Sequence, residues 1–154
     1  MTVSNLAKLS DAEFKKVGSD LLDGNQPIRL ELGGFSMYPN FLPGDVAVIE
    51  RTDASSLKRG QVVVVQIENR WIAHRLVDFR TVDNTLFVIT QGDSVIRPDK
   101  PVKSSSLVGV VGEVLRGNSH IQYSAILAWA YVKLRPLPQI FSRAVLKIKW
   151  KLNL

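Results

Sequence analysis

Between Pro27 and Arg116 the chain is cut into short apolar runs by turn-forming residues, and that punctuation limits what it can become. Ile28-Arg29-Leu30-Glu31-Leu32 alternates, and Asp45 to Arg51 alternates again, with Val46, Val48 and Glu50 opposed to Ala47 and Ile49. A period of two is the pattern of a half-buried strand. Gln61 to Glu68 is valine-rich and predicts a buried strand. Trp71 to Phe79, Leu86 to Thr90 and Leu107 to Leu115 follow. The separators are Leu57-Lys58-Arg59-Gly60, Glu68-Asn69-Arg70, Asp83-Asn84 and Gln91-Gly92-Asp93, all turn chemistry. Gly109 and Gly112 in the last run predict a bulge or a close backbone approach. Roughly five or six strands at this spacing predict a mainly β domain, a coiled antiparallel sheet of barrel-like form.

The flanks have a different texture. Ser10-Asp11-Ala12-Glu13 is a capping box, Phe14, Val17 and Leu21 recur at helical spacing, and Gly24 stops the helix. One short helix is too little for a helix-turn-helix reader of DNA, so no nucleic-acid partner is expected. At the other end Tyr123, Ile126, Leu127, Ala130, Tyr131 and Leu134 form a helical stripe, broken by Pro136 and Pro138. Residues 139–154 fit a helix face and also alternate strictly over Leu146 to Leu152; the helical reading is taken. The chain therefore divides into an N-terminal helix and lead-in (1–26), a β domain (27–117) and a basic amphipathic tail (118–154). No internal repeat is visible.

Charge sharpens that division. The net charge is +6, and residues 114–154 hold seven basic residues and no acidic one, so the rest of the chain is close to neutral. A basic tail suits an anionic membrane surface or an acidic partner, or simply a solvated flank. Cysteine is absent, which excludes disulfides, thiolate metal ligands and a cysteine nucleophile. Residues 1–25 are charged throughout, so no secretory signal peptide is expected. No run reaches the ~18–20 apolar residues of a spanning helix. The expected location is cytoplasmic or peripheral to a membrane.

Three polar residues stand out within the β domain. Ser36 lies in Gly34-Phe35-Ser36-Met37-Tyr38-Pro39, followed by Pro43-Gly44-Asp45. Turn chemistry this dense holds a side chain on a bend, available to a partner. His74 lies on a predicted strand, on the face of Ile72 and Leu76; such a histidine is commonly a satisfied core residue, whereas His120 reads as a loop residue. Asp93 and Asp99 sit six apart in a polar loop. They form turns there, or one of them orients His74; no further acidic ligand is near enough for a metal site, and no cofactor is expected. Serine, histidine and aspartate are the parts of a nucleophile–base–orienter system, although most proteins contain all three.

The order and context of these residues resemble a known family. Gly34-Phe35-Ser36-Met37-Tyr38-Pro39 with Gly44-Asp45 is similar to the Gly-x-Ser-Met-x-Pro…Gly-Asp signature of type I signal peptidases and the SOS-repressor autoproteases. Arg59-Gly60-Gln61-Val62-Val63-Val64 resembles their Gly-Asp-Val-Val stretch, with Gln61 in place of the aspartate. Ala73-His74-Arg75-Leu76 resembles the x-His-Arg-Val strand, Gln91-Gly92-Asp93 with Asp99 the Gly-Asp-Asn…Asp segment, and Val108 to Gly112 the closing Val-Val-Gly strand. The likeness spans roughly residues 30–115. Histidine rather than lysine at position 74 matches the archaeal and endoplasmic-reticulum form. The resemblance implies a coiled β fold, Ser36 as nucleophile, His74 as general base and Asp99 as orienting acid. Asp93, Arg75 and Met37 would be in support.

It also implies a peptide substrate bound as an added strand, with small residues before the cut. Gly34 stands where the family often has a serine whose hydroxyl helps the oxyanion hole, and Phe35 replaces a common glycine. The spanning anchors of signal peptidases are absent, and residues 139–154, with Trp150 and several lysines, are candidates for peripheral contact with an anionic membrane. The function expected is a serine endopeptidase. A self-cleaving regulator and a non-catalytic peptide-binding module on the same fold are the alternatives.

Overall fold

Four consecutive valines, Val62 to Val65, are fully buried, and this places them at the centre of the sheet. A strand that alternates its side chains between two faces can bury every residue only if both faces are covered. Val62 and Val64 join a core with Ile28, Met37, Phe41, Ile49 and Val111. Val63 and Val65 join a second with Leu57, Leu76 and Val88. Each buried valine contributes about 1.5–3 kcal/mol relative to exposure.

The computed structural model describes residues 27–68 and 70–121; the predicted N-terminal helix and the tail beyond residue 121 lie outside them. Among the described residues the strands are β1 (Ile28–Glu31), β2 (Val46–Glu50), β3 (Val62–Ile67), β4 (Arg70–Val82), β5 (Thr85–Gln91), β6 (Val102–Lys103), β7 (Leu107–Arg116) and β8 (Ser119–Ile121). They form one sheet in the order β1-β2-β7-β3-β4-β5-β6, with β8 on β7, and every pairing is antiparallel.

The mainly β reading holds, with two differences. The sheet is open rather than barrel-like, because β1 and β6 end the strand order without pairing to each other. A barrel needs continuous pairing around its circumference, and β6 offers only two residues after Pro101. Second, His120 lies on β8 rather than in a loop. Gly117, at φ +58, and Asn118 turn the chain back so that His120 pairs with Leu115. Both missed strands are two or three residues long, too short to display a period.

The glycine expectation in β7 is met. β2 shifts register between Val48 and Ile49 where it pairs with β7. A Cβ on Gly109 would lie 2.3 Å from the Glu50 carbonyl oxygen, a backbone contact that cannot yield. Among the described residues no helix is long and apolar enough to cross a membrane.

Candidate active site

The chain between β1 and β2 makes an excursion closed at its base and plugged at its top. Leu32 N–H donates to the Asp45 carbonyl and Gly44 N–H to that of Leu32, both at 2.8 Å. At the top, Met37 and Phe41 are 3% and 1% exposed. The buried side chains that anchor the loop therefore follow directly on Ser36, at the start of a run of turn. Asp45 braces the loop further by accepting the Leu42 N–H at 2.8 Å and the Arg116 guanidinium at 2.8 Å. Hydrogen bonding by Arg116 is the main reason its carboxyl lies below its ordinary value; burial opposes this and the Leu42 N–H assists.

His74 stands on β4 opposite Val63, one residue before β4 begins to pair with β5 at Arg75 and Gln91. Beyond Gln91 the chain leaves the sheet as a loop, then returns when Asp99 N–H donates to the Thr90 carbonyl at 2.8 Å. The return sets Asp99 beside His74. His74 Nδ1 lies 2.6 Å from Asp99 Oδ2, and His74 Nε2 lies 2.8 Å from Ser36 Oγ. Thr90 Oγ1 donates to the same Asp99 oxygen at 2.7 Å.

Burial would push the Asp99 carboxyl up. The hydrogen bond with His74, the one from Thr90 and the charge of a protonated His74 outweigh that, so it sits below its ordinary value. An ionised carboxylate only accepts. The Nδ1 of His74 therefore carries the proton, and the Nε2 lone pair faces the Ser36 hydroxyl. Such an arrangement can take a proton from Ser36 and hold the resulting imidazolium against a carboxylate.

Asp93 goes elsewhere. It is fully buried and accepts Arg75 Nε on Oδ1 at 2.7 Å and Nη2 on Oδ2 at 2.6 Å. Arg75 Nη1 reaches the Gly60 carbonyl at 2.7 Å, and Asn40 Nδ2 donates to Asp93 at 2.8 Å. The paired carboxylate thus ties the loop after β5 to the Ser36 loop. Ser36, His74 and Asp99 are brought together; Asp93 and Arg75 form a separate clamp, and Met37 lies in the core beneath the serine.

Sequence reasoning passed over Asn40, Thr90 and Ser94. Thr90 and Ser94 flank Gly92-Asp93, and their position beside that turn was the available signal. Ser94 N–H donates to the Ser36 carbonyl at 2.8 Å. Gly92 permits this approach, since a Cβ there would lie 2.7 Å from the Ser36 carbonyl oxygen. Among the described residues, no group of three or more histidines, aspartates or glutamates is placed to hold a metal ion.

Beside Ser36 runs a cleft walled by Leu30, Leu32, Met37, Trp71 and Ala73. Two strand edges border it. Among the described residues β1 has β2 as its one strand partner, and β4 before Arg75 has only β3.

A family model described as Peptidase S24-like matches residues 3–114. No curated protein matches the chain.

Proposed function

The chain belongs to the peptidase S24-like family, and from that premise we propose that it is a serine endopeptidase that cuts an extended peptide segment of a protein or precursor. Members of this family are in general serine peptidases, some of them self-cleaving and some non-catalytic. The observation that carries the catalytic reading is the pair of contacts made by one imidazole, to Ser36 Oγ at 2.8 Å and to Asp99 Oδ2 at 2.6 Å.

In this reading Ser36 Oγ attacks the scissile carbonyl carbon while His74 takes its proton. The tetrahedral intermediate collapses as His74 returns the proton to the leaving amine, which leaves an acyl group on Ser36. A water molecule, activated by the same histidine, releases the new carboxyl end. Asp99 holds the ring in the required tautomer throughout. The substrate lies in the cleft as an added strand between the edges of β1 and β4, because main-chain bonds there are sequence-tolerant. The preference for small side chains before the cut is carried by the family likeness.

Gly34 offers no hydroxyl to the developing oxyanion, so the donor in this reading is the backbone N–H of Ser36. The acid-free basic segment 114–154 supports a peripheral contact of residues 139–154 with anionic lipid, which co-sedimentation with anionic against neutral vesicles tests. Self-cleavage is the second reading, and it needs a cleavable segment upstream of the β domain.

The test of the main reading is direct. Purified protein incubated with a peptide library should release fragments cut after small residues, and a fluorophosphonate should label Ser36. Ser36→Ala should do neither. Cleavage that persists in that variant assigns the activity elsewhere.

A further inference from the structure

A serine peptidase needs donors aimed at the place where the carbonyl oxygen becomes negative, and the direction of a backbone N–H is set by its peptide plane. In a planar trans peptide the C=O and N–H point in opposite directions. Whatever grips the Phe35 carbonyl therefore aims the Ser36 N–H. The Phe35 carbonyl accepts Ser94 Oγ at 2.8 Å and the Tyr38 N–H at 3.1 Å. The next plane is gripped by the same residue: the Ser36 carbonyl accepts the Ser94 N–H at 2.8 Å, and at 3.1 Å from Ser94 Oγ it shares the single hydroxyl hydrogen with the nearer Phe35 carbonyl. One side chain with its own amide thus holds both peptide planes that flank the serine.

The opposite side of the first plane is left open. Among the described residues the Ser36 N–H has no hydrogen-bond acceptor, as a donor reserved for a transient anion would not. Ser94 is 8% exposed, so water competes little for its hydroxyl and its grip is firm. Its loop reaches Ser36 at all because Gly92 has no Cβ, which would also lie 3.0 Å from Ser36 Cβ. With Gly34 lacking a side-chain donor, the aim of the one backbone donor carries more weight than where a hydroxyl shares the load.

We infer that Ser94 is a positioning residue: by holding the Phe35 and Ser36 carbonyls it aims the Ser36 N–H at the developing oxyanion. The role rests on the peptidase reading of Ser36. A hydrogen bond weakens steeply once its donor points away, and losing an oxyanion donor outright costs ~10²–10³ in rate. Ser94→Ala keeps the amide bond to the Ser36 carbonyl and removes the hydroxyl bonds, so the aim is loosened rather than abolished.

The experiment compares wild type, Ser94→Ala and Ser94→Thr on a cleaved peptide and on a peptide boronate of the same sequence. The boronate forms a tetrahedral anion on the serine. Expected for Ser94→Ala is a fall in kcat of roughly 10–100-fold, part of the full loss of a donor, with KM unchanged. Boronate affinity should fall by a similar factor, and Ser94→Thr should recover most of both. Binding of the uncut peptide, measured in the Ser36→Ala background with and without Ser94→Ala, should be equal, which also establishes that the variant is folded with its cleft intact. Wild-type kcat in Ser94→Ala, or an equal loss of affinity for boronate and uncut peptide, overturns the role of Ser94 alone. A wild-type chain that neither cuts the peptide nor binds the boronate overturns the peptidase reading, and this role with it.

Discussion

His74 and Arg75 are neighbours on β4 and each takes an aspartate from the same loop, yet the two pairs differ in how far they are closed. Alternation along a strand sends the two side chains to opposite faces. On one face Arg75 and Asp93 are 1% and 0% exposed, with both carboxylate oxygens engaged by the guanidinium. On the other, the Asp99 side chain is 25% exposed and that of His74 11%, and the second imidazole nitrogen faces Ser36. The clamp is dry and closed; the histidine pair is partly exposed and hands its second nitrogen to a hydroxyl. Residue type does not separate the two aspartates. Burial and the number of engaged atoms do.

That contrast predicts a separation of effects. Asp99→Asn retains the shape of the side chain but cannot hold the same tautomer of His74, so kcat should fall by about 10⁴-fold with little change in the urea midpoint. Asp93→Ala should do the reverse. It leaves the Arg75 guanidinium buried and uncompensated, which costs about 3–5 kcal/mol of stability. The kcat of the molecules that remain folded should fall far less than in Asp99→Asn. Urea denaturation and single-turnover kinetics on both variants read this directly. Equal loss of stability in the two would erase the distinction.

A smaller effect sharpens the reactive side. Thr90 donates to the oxygen of Asp99 that also accepts His74, and so helps offset the burial that pushes the carboxyl up. Thr90→Val should lower kcat by about tenfold, the value of one hydrogen bond of ~1–1.5 kcal/mol. The Asp99 carboxyl should rise, which a carboxyl-carbon NMR titration of wild type and Thr90→Val reads. Thr90→Ser should restore both. An Asp99 titration that does not move in Thr90→Val would reduce the threonine to packing.

Much of this was legible in the sequence because it is local. The Gly34-to-Asp45 turns, the valine run of β3 and the alternation of β2 each carry their structural cause within a few residues. Ser36, His74 and Asp99 were legible through their order and immediate context. What escaped depends on chain closure over long separations. Asn40 meets Asp93 across 53 positions and Ser94 meets Phe35 across 59, and nothing adjacent to either residue announces the partner. The open sheet was missed for the same reason, since pairing order is a property of the whole chain. Alone, the periodicity around His74 favoured a core residue, and at 9% exposure the side chain has the environment of one.

Another carboxylate–arginine pair, Asp45 with Arg116, is closed at the carboxylate and open at the guanidinium, and tests whether burial is the controlling variable. The Asp45 side chain is 2% exposed but that of Arg116 is 41% exposed, so water and salt screen one end of the pair. Arg116→Ala should therefore cost about 1 kcal/mol or less at neutral pH, well below the loss for Asp93→Ala, and 1 M salt should narrow the gap to wild type. The pH dependence follows from the depressed carboxyl of Asp45. A group whose folded pKa lies below its unfolded value, about 3.9 for aspartate, contributes its full stability above that unfolded value. The contribution is lost as the pH falls through the folded one. Urea midpoints of wild type and Arg116→Ala should thus differ at pH 7 and converge in acid, once the pH has fallen through the folded value of Asp45. A difference as large as that for Asp93→Ala, or one that survives in acid, would show that the arginine acts through packing of its stem across the Ser36 loop rather than through its charge.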